Sequence, residues 1–372
     1  MNLLKVLRIL SRYLIGITFV FSGFVKGQDP LGTVFKIEDY FIAYGWEWAM
    51  PFALVLSIVL CTAEFTLGAA LLANARIKLT SWLVLLMMSF FTVVTFFDAL
   101  YNPVPDCGCF GDAIKLTNWE TFYKNIVLMV FVAILFISQR VSKPILKTSA
   151  QYGLIVVFVV GFAGFSIWSY KHLPIIDFMP WKIGANMYPE RPLPVTYFVT
   201  YKNATTGEVK EYPADNYPYN DSLWLQQWKF VSTRVADPNT ATKHNLMITD
   251  TSATDVTDTY LKNTSYQFIV VSYDLTAAKP KILIQIAVFG EQAAQAGYGF
   301  IMVTPALPED MLAFKKQYNA TFELFNADDV VLKTMVRANP GLLVFKDGIV
   351  VNKWNWRDVP DFKDLTKAYP LN

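Results

Sequence analysis

Cys107 and Cys109 stand either side of a single glycine in the stretch PDCGCFGDA, and the only other cysteine of the chain is Cys61. Two thiols at that spacing can exchange as a dithiol and a disulfide, ligate a metal, or simply line a tight turn. A disulfide across one residue closes a very small ring, and a strained bond of that kind suits exchange better than permanent cross-linking. A zinc site asks for about four Cys or His ligands at recognisable spacings. This chain offers three Cys and two His, and His172 and His244 are remote from the loop in sequence, so no metal is expected.

A second candidate lies in an apolar stretch. Ser57, Cys61, Glu64 and Gly68 recur at steps of four, three and four, which places them on one helix face. A carboxyl deep in a bilayer is costly and faces a bundle interior, where it pairs, stays protonated or relays protons. Glu64 is therefore an intramembrane proton-handling candidate, against the plainer reading of a neutral acid that hydrogen-bonds two helices together. Cys61 sits about ten residues from the outer end of its helix, roughly 15 Å at 1.5 Å per residue. It reaches the cysteine loop only if that loop dips into the bundle, and otherwise reads as a small buried hydrophobe.

The elements that must position these residues follow from composition. The 372 residues are 54% hydrophobic and 17% charged, well to the apolar side of a soluble protein. Five segments can each cross a bilayer as a helix of about 20 residues: roughly Leu7–Val25, Pro51–Ala73, Leu79–Leu100, Phe122–Ser138 and Tyr152–Tyr170. The first lacks a small-x-small cleavage site after its apolar run and reads as a retained span. Everything after about His172 has ordinary charge and many Asn, Asp and Thr. The formal net charge of +2, with no basic stripe interleaved with aromatics, gives no argument for nucleic acid or an acidic substrate, and no nucleic-acid partner is expected.

Short-loop charges set the expected orientation. Lys5, Arg8 and Arg12 precede the first span, Arg76 and Lys78 separate the second from the third, and Arg140, Lys143 and Lys147 separate the fourth from the fifth. With these clusters cytoplasmic, the cysteine loop and the region after His172 share the opposite side, which in a bacterium is the periplasm, where disulfides persist.

Within the spans, Arg12, Gly16, Phe19, Gly23 and Lys26 form a seam whose glycines allow close helix approach, with Arg12 and Lys26 expected to snorkel to the two interfaces. Ser89, Thr92, Thr95 and Asp98 form a drifting stripe suited to interhelical hydrogen bonds near the outer surface. Thr117 followed by Glu120 is a capping-box signature for the fourth span. The cysteine loop is thus pinned between a helix end and a capped helix start, stiffened by Pro103 and Pro105 and given turn freedom by Gly108 and Gly111.

Residues 1 to about 140 resemble the DoxX and MauE group of four-span membrane proteins. RYLIGITFVFSGFVKGQDPLGTVFKIEDYF is similar to that group's first span and following amphipathic segment, AEFTLGAALL to its second-span acidic motif, and DCGCFGDA to the MauE cysteine loop. The resemblance implies quinone-linked or thiol-disulfide electron transfer in the cell envelope, with Cys107 and Cys109 as the redox pair and Glu64 at a proton or quinone site. Cys61 is then the only other thiol able to take part.

The later region reads as strands and helices in alternation. PVTYFVTYKNATTGEVKEYP predicts a hairpin. YQFIVVSYDL predicts a buried strand and KPKILIQIAVFGEQAAQAGY a helix. GFIMVTPA and TFELFNAD predict strands, PEDMLAFKKQYN and DVVLKTMVRAN helices, and NPGLLVFKDGIVVNKW a hairpin turning at Asp347-Gly348. The order over about residues 240–370 resembles the thioredoxin fold, in its membrane-tethered TlpA-like branch, with Pro340 at the position of that fold's cis-proline. The chain departs from the enzymes of that branch, because TAAKP stands where the Cys-x-x-Cys would be and no cysteine follows Cys109.

The expected fold class is therefore multidomain, an α-helical membrane bundle of four spans plus a linking fifth, followed by an α/β thioredoxin-like soluble domain. The expected boundaries are 1–148 for the bundle, 149–174 for the fifth helix and linker, and 175–372 for a periplasmic domain whose β-rich lead-in runs to about 240. The expected setting is a bacterial inner membrane with a cytoplasmic N-terminus. Two functions fit: an oxidoreductase or electron-transfer partner that exchanges through Cys107 and Cys109 and passes electrons to a quinone, or a non-enzymatic scaffold within a larger envelope complex. In both, the partners are the lipid bilayer and a periplasmic protein or membrane complex.

Overall fold

The computed structural model describes residues 3–138, 146–188, 195–236 and 245–371. Arg140, Lys143 and His244 lie outside the described residues. The chain forms two compact units. One holds the residues up to Met179 together with Val336–Gly341 and Trp354–Val359, and the other holds Pro180–Met335, Leu342–Lys353 and the residues from Pro360.

The first unit is helical. It contains α1 (Leu3–Gln28), α2 (Pro30–Ala43), a short 3-10 turn (Glu47–Phe52), α3 (Ala53–Leu72), α4 (Ile77–Tyr101), α5 (Asn118–Ser138) and α6 (Thr148–Lys171). Five stretches are long and apolar enough to cross a membrane: Val6–Gln28, Glu47–Leu72, Ile77–Tyr101, Asn118–Ser138 and Thr148–Lys171. The fourth starts four residues before the hydropathy pattern suggests, because the capping box sets its beginning. Glu120 Oε2 accepts from the backbone N–H and hydroxyl of Thr117, each at 2.8 Å, and the Glu120 N–H donates back to Thr117 Oγ1 at 3.3 Å.

A tight corner joins α1 to α2. Asp29 caps α2 by accepting from the Gly32 N–H at 3.0 Å, and Pro30 follows at the first helical position, where its missing N–H costs nothing.

Lipid tails are as apolar as leucine, so membrane helices associate through close packing and polar contacts. The seam glycines show how α1 and α3 meet. A Cβ on Gly23 would lie 2.5 Å from the backbone nitrogen of Phe65, and one on Gly68 would lie 2.6 Å from that of Val20. The apolar centre joins Ile15 and Phe19 of α1, Leu67 and Leu71 of α3, Val84 and Met88 of α4, and Leu128, Val132 and Leu135 of α5. Asn125 of α5 donates to Thr95 Oγ1 of α4 at 3.1 Å.

The second unit is mixed α/β. Strands β1 (Thr196–Asn203) and β2 (Val209–Pro213) form the expected hairpin. After helix α7 (Ser222–Gln227), β3 (Trp228–Ala236) completes a three-stranded sheet in the order β2-β1-β3. The sequence reading missed β3, whose residues are mostly exposed and lack a one-sided apolar alternation.

The larger sheet uses β4 (Gln267–Val271), β5 (Gly299–Thr304), β6 (Glu323–Asn326), β7 (Gly341–Lys346) and β8 (Ile349–Asn355), in the order β6-β5-β4-β7-β8. Its helices are α8 (Thr257–Leu261), α9 (Pro280–Gln295), α10 (Pro308–Tyr318), α11 (Asp329–Met335) and α12 (Phe362–Ala368). Strands β4, β5 and β6 run parallel. All five residues of β4 are buried, the unbroken apolar pattern of a strand covered on both faces. Asp347 and Gly348 both have positive φ at the β7–β8 turn, and the Asn339–Pro340 peptide is cis. A membrane-capable helical bundle followed by an α/β domain is the fold class expected from the sequence.

Candidate functional site

The cysteine loop joins α4 to α5 and is held from several sides. Asn102, in the left-handed conformation, ends α4. Asn118 Nδ2 reaches back to Asn102 Oδ1 at 2.7 Å and to the Val104 carbonyl at 2.9 Å, so the first residue of α5 grips the loop's entry. Asp106 accepts from the Gly108 N–H at 3.0 Å through one oxygen and from Lys36 Nζ of α2 at 2.9 Å through the other. Gly108 has φ +62°, and its missing side chain leaves room for the Lys36 stem, whose Cγ would lie 3.1 Å from a Cβ.

This turn brings the two sulfurs together. Cys107 Sγ and Cys109 Sγ are 2.7 Å apart, and both cysteines are free. Their ionisations diverge. The Cys107 S–H donating to its neighbour lowers the Cys109 thiol to about 6, against the cost of burial and with help from the Lys124 and Lys26 ammonium groups. The same hydrogen bond, with burial, pushes Cys107 up. The arrangement favours Cys109 over Cys107 as the thiolate of the pair, the form from which attack on a disulfide or an electron acceptor begins.

Beneath the loop is a buried polar chain. Lys26 Nζ pairs with Glu64 Oε1. Glu64 Oε2 lies 2.7 Å from Ser22 Oγ, which in turn lies 2.7 Å from the backbone oxygen of Cys109. One hydroxyl hydrogen serves one acceptor at a time, so Ser22 can turn its proton towards the carboxyl or towards the loop. Lys26 is 6% and Glu64 1% exposed, so Lys26 does not snorkel to an interface. The α1 seam that places Gly23 against the Phe65 backbone turns Lys26 towards α3.

At the far end of the loop, Arg337 of the Val336–Gly341 segment donates through Nε to Asp29 Oδ2 at 2.9 Å and through an Nη to Asp112 Oδ2 at 2.8 Å. Its guanidinium also lies 5.3 Å from the centre of the Phe35 ring. Burial opposes the charge of Arg337, but the two carboxylates more than offset it and raise its pKa. Across the site, Tyr40 of α2 donates to Asp98 Oδ2 of α4 at 2.6 Å. Asp98 is fully buried and joins α4 to α2, an interhelical hydrogen bond of the kind the Ser89–Asp98 stripe was expected to supply.

A cavity of about 570 Å³ lies among these elements, and its wall includes Ser22, Lys26, Tyr40, Glu64, Cys107 and Cys109, with Phe91 and Phe110 among its aromatic lining. That volume falls within the roughly 300–1,000 Å³ of small-molecule sites. Of the residues singled out from the sequence, Cys107, Cys109 and Glu64 meet at this cavity. Cys61 is fully buried, is absent from the described lining, and has its sulfur 3.9 Å from Thr33 Oγ1. Sequence reasoning missed Ser22, Tyr40 and Arg337. Ser22 carried a readable signal, because it lies one turn before Lys26 on the α1 face that meets α3.

Residues 4–138 match the family described as methylamine utilisation protein MauE, a little over a third of the chain. The match runs from α1 to the end of α5 and contains the cysteine loop, the Lys26–Glu64 pair and nearly all of the cavity wall. With five membrane-capable helices, the chain is a multi-pass membrane protein carrying a MauE-like domain. A search of curated proteins gave no match.

Proposed function

We propose that this protein is a cell-envelope thiol-disulfide oxidoreductase in which Cys107 and Cys109 cycle between dithiol and disulfide, taking electrons from a protein thiol outside the membrane and passing them to a quinone. The observation that carries this reading is the shared cavity, where two cysteine sulfurs 2.7 Å apart stand beside a buried Lys26–Glu64 pair. The thiolate supplies the nucleophile, and the ion pair supplies a fixed ammonium donor and a carboxyl able to handle protons. The cavity's size and aromatic walls fit a flat quinone ring, written here as the substrate that accepts the electrons.

The α/β domain supports the same division of labour. Its five-strand order, three parallel strands and closing hairpin support reading it as thioredoxin-like. With no cysteine after Cys109, such a domain would recruit the protein partner and leave the thiol chemistry to the loop. The proposed setting is the bacterial inner membrane, with the N-terminus cytoplasmic and the cysteine loop and α/β domain periplasmic.

A second reading, a scaffold subunit of a larger envelope complex, is favoured by that same absence of cysteine. Trapping thiols in intact membranes and mapping them by mass spectrometry separates the two. Under the redox reading, Cys107 and Cys109 shift from disulfide to thiol when respiration is inhibited. An unchanging thiol state, together with full function of a Cys107→Ser/Cys109→Ser variant, leaves only the scaffold.

A further inference from the structure

Asp98 is a buried acid for which the thiol chemistry has no use. It lies in the third membrane-capable helix, its Oδ2 accepts from Tyr40, and its Oδ1 has no hydrogen-bond partner. Tyr40 is its one hydrogen-bonding partner, and it makes no ion pair, among the described residues. An acid so placed inside a span is costly unless it is neutral, and such residues mark sites where protons are gained and lost. Tyr40 lines the same cavity as the sulfurs and Lys26.

The rim of the cavity adds a second observation. Leu56 of α3, Phe90 and Phe97 of α4, and Tyr44 and Trp46 after α2 border it, and each is 43% to 62% exposed. A largely apolar cavity with a few polar side chains in its wall, and a rim made from the apolar surface that helices present to lipid, suits an apolar ligand arriving from the bilayer that carries hydrogen-bond acceptors.

We propose that Tyr40 and Asp98 form a second proton-delivering pole of the cavity, beside the Lys26–Glu64 pole, and hand one of two protons to a lipid-soluble quinone as the Cys107–Cys109 pair is oxidised. This rests on the redox reading above. With the acid proton on Oδ2, Asp98 donates to the Tyr40 oxygen, and the phenolic hydrogen is freed to point into the cavity. Two electrons leave the sulfurs as the S–S bond forms. One proton passes from Tyr40, refilled by Asp98, and one from the Lys26–Glu64 pole. The Cys107 thiol proton and one proton from water restore the two poles, so dithiol-thiolate, quinone and one proton give disulfide and hydroquinone.

The test uses the full chain in lipid nanodiscs, reduced and freed of reductant, and mixed with decylubiquinone or with glutathione disulfide. Wild type, Tyr40→Phe and Asp98→Asn are compared by the ratio of quinone-driven to disulfide-driven oxidation rates in the same preparation, which cancels general damage. The expected result is a fall in that ratio of about tenfold in each variant, with the double variant no lower than the worse single one, as for groups acting as a unit. A ratio within twofold of wild type, or a parallel fall of both rates, overturns the second pole. Wild type that reacts with the disulfide and not with the quinone removes the quinone from the parent reading and this proposal with it. Wild type inert to both defeats the cysteine cycle itself.

Discussion

The Ser22 hydroxyl oxygen lies 2.7 Å from the backbone oxygen of Cys109, so a residue inside the first membrane helix touches the main chain of the cysteine loop. The same oxygen stands 2.7 Å from Glu64 Oε2. The loop, already held by Asn118 and Lys36, is thereby also tied to a buried ion pair, and the location of the sulfurs is linked to the packing of α1 on α3.

Replacing Ser22 with alanine removes the one hydroxyl donor that the Glu64 carboxyl and the Cys109 carbonyl share, and leaves the acceptor it served without it. An orphaned buried polar group costs about 1–3 kcal/mol. Thermal unfolding in detergent should fall by that amount, and backbone hydrogen exchange should rise in the cysteine loop. Unchanged exchange there would mean the loop is positioned without Ser22.

Lys26 and Glu64 should behave as a unit. Lys26→Met leaves a buried carboxyl without its cation, a change that costs about 3–5 kcal/mol, whereas removing both charges together is close to neutral. The Lys26→Met variant should therefore be poorly folded, and Lys26→Met/Glu64→Leu should recover much of the lost stability. A double variant worse than either single one would contradict the pairing.

What the sequence disclosed and withheld divides along the range of the interactions. The spans, the Thr117–Glu120 cap and the Asp347-Gly348 turn are written within a few neighbouring residues, and each was legible. The face of α3 that carries Ser57, Cys61, Glu64 and Gly68 was legible too, since all four are buried. Lys26 was misread because the length of its side chain permits snorkelling, while its actual direction depends on which helix the Gly23 seam meets. Arg337 carries no local signal. Its partners Asp29 and Asp112 are 308 and 225 residues away, and only the folded chain brings them together. The sulfur pair was obvious as a spacing, but the asymmetry between the two thiols comes first from the contact the folded turn makes between them, and is reinforced at Cys109 by Lys124 and Lys26, which lie on other elements.

That asymmetry predicts a pH profile. Alkylation consumes the thiolate, and Cys109 is lowered to about 6. Its reaction with iodoacetamide should climb through pH 6 and be near its plateau by pH 7, where an ordinary thiol with a pKa of about 8.5 is still mostly protonated. Cys107 is shifted upward and should remain unreactive across that window. In Cys107→Ala the donated S–H is lost, so the Cys109 midpoint should move up towards the ordinary value. Mass spectrometry of the labelled peptide reads both midpoints, and an unshifted midpoint in the variant would assign the lowering to the lysines alone.

Arg337 makes the most demanding prediction, because one side chain joins two acids that have different local duties. Asp29 caps α2 and Asp112 lies three residues beyond Cys109. Arg337→Ala should destabilise the chain by about 3–5 kcal/mol, as expected when a buried charge pair loses one member. Arg337→Lys should recover only part of this, since an ammonium is a point charge and lacks the planar fork that reaches both carboxylates. Adding Asp29→Asn and Asp112→Asn to Arg337→Ala removes the repulsion while asparagine still caps α2, so stability should return. The grip on the end of the cysteine loop should not return with it. The triple variant should therefore melt near wild type while the profile of Cys109 alkylation broadens, an outcome that separates the stabilising part of the Arg337 contact from its part in holding the thiols in place.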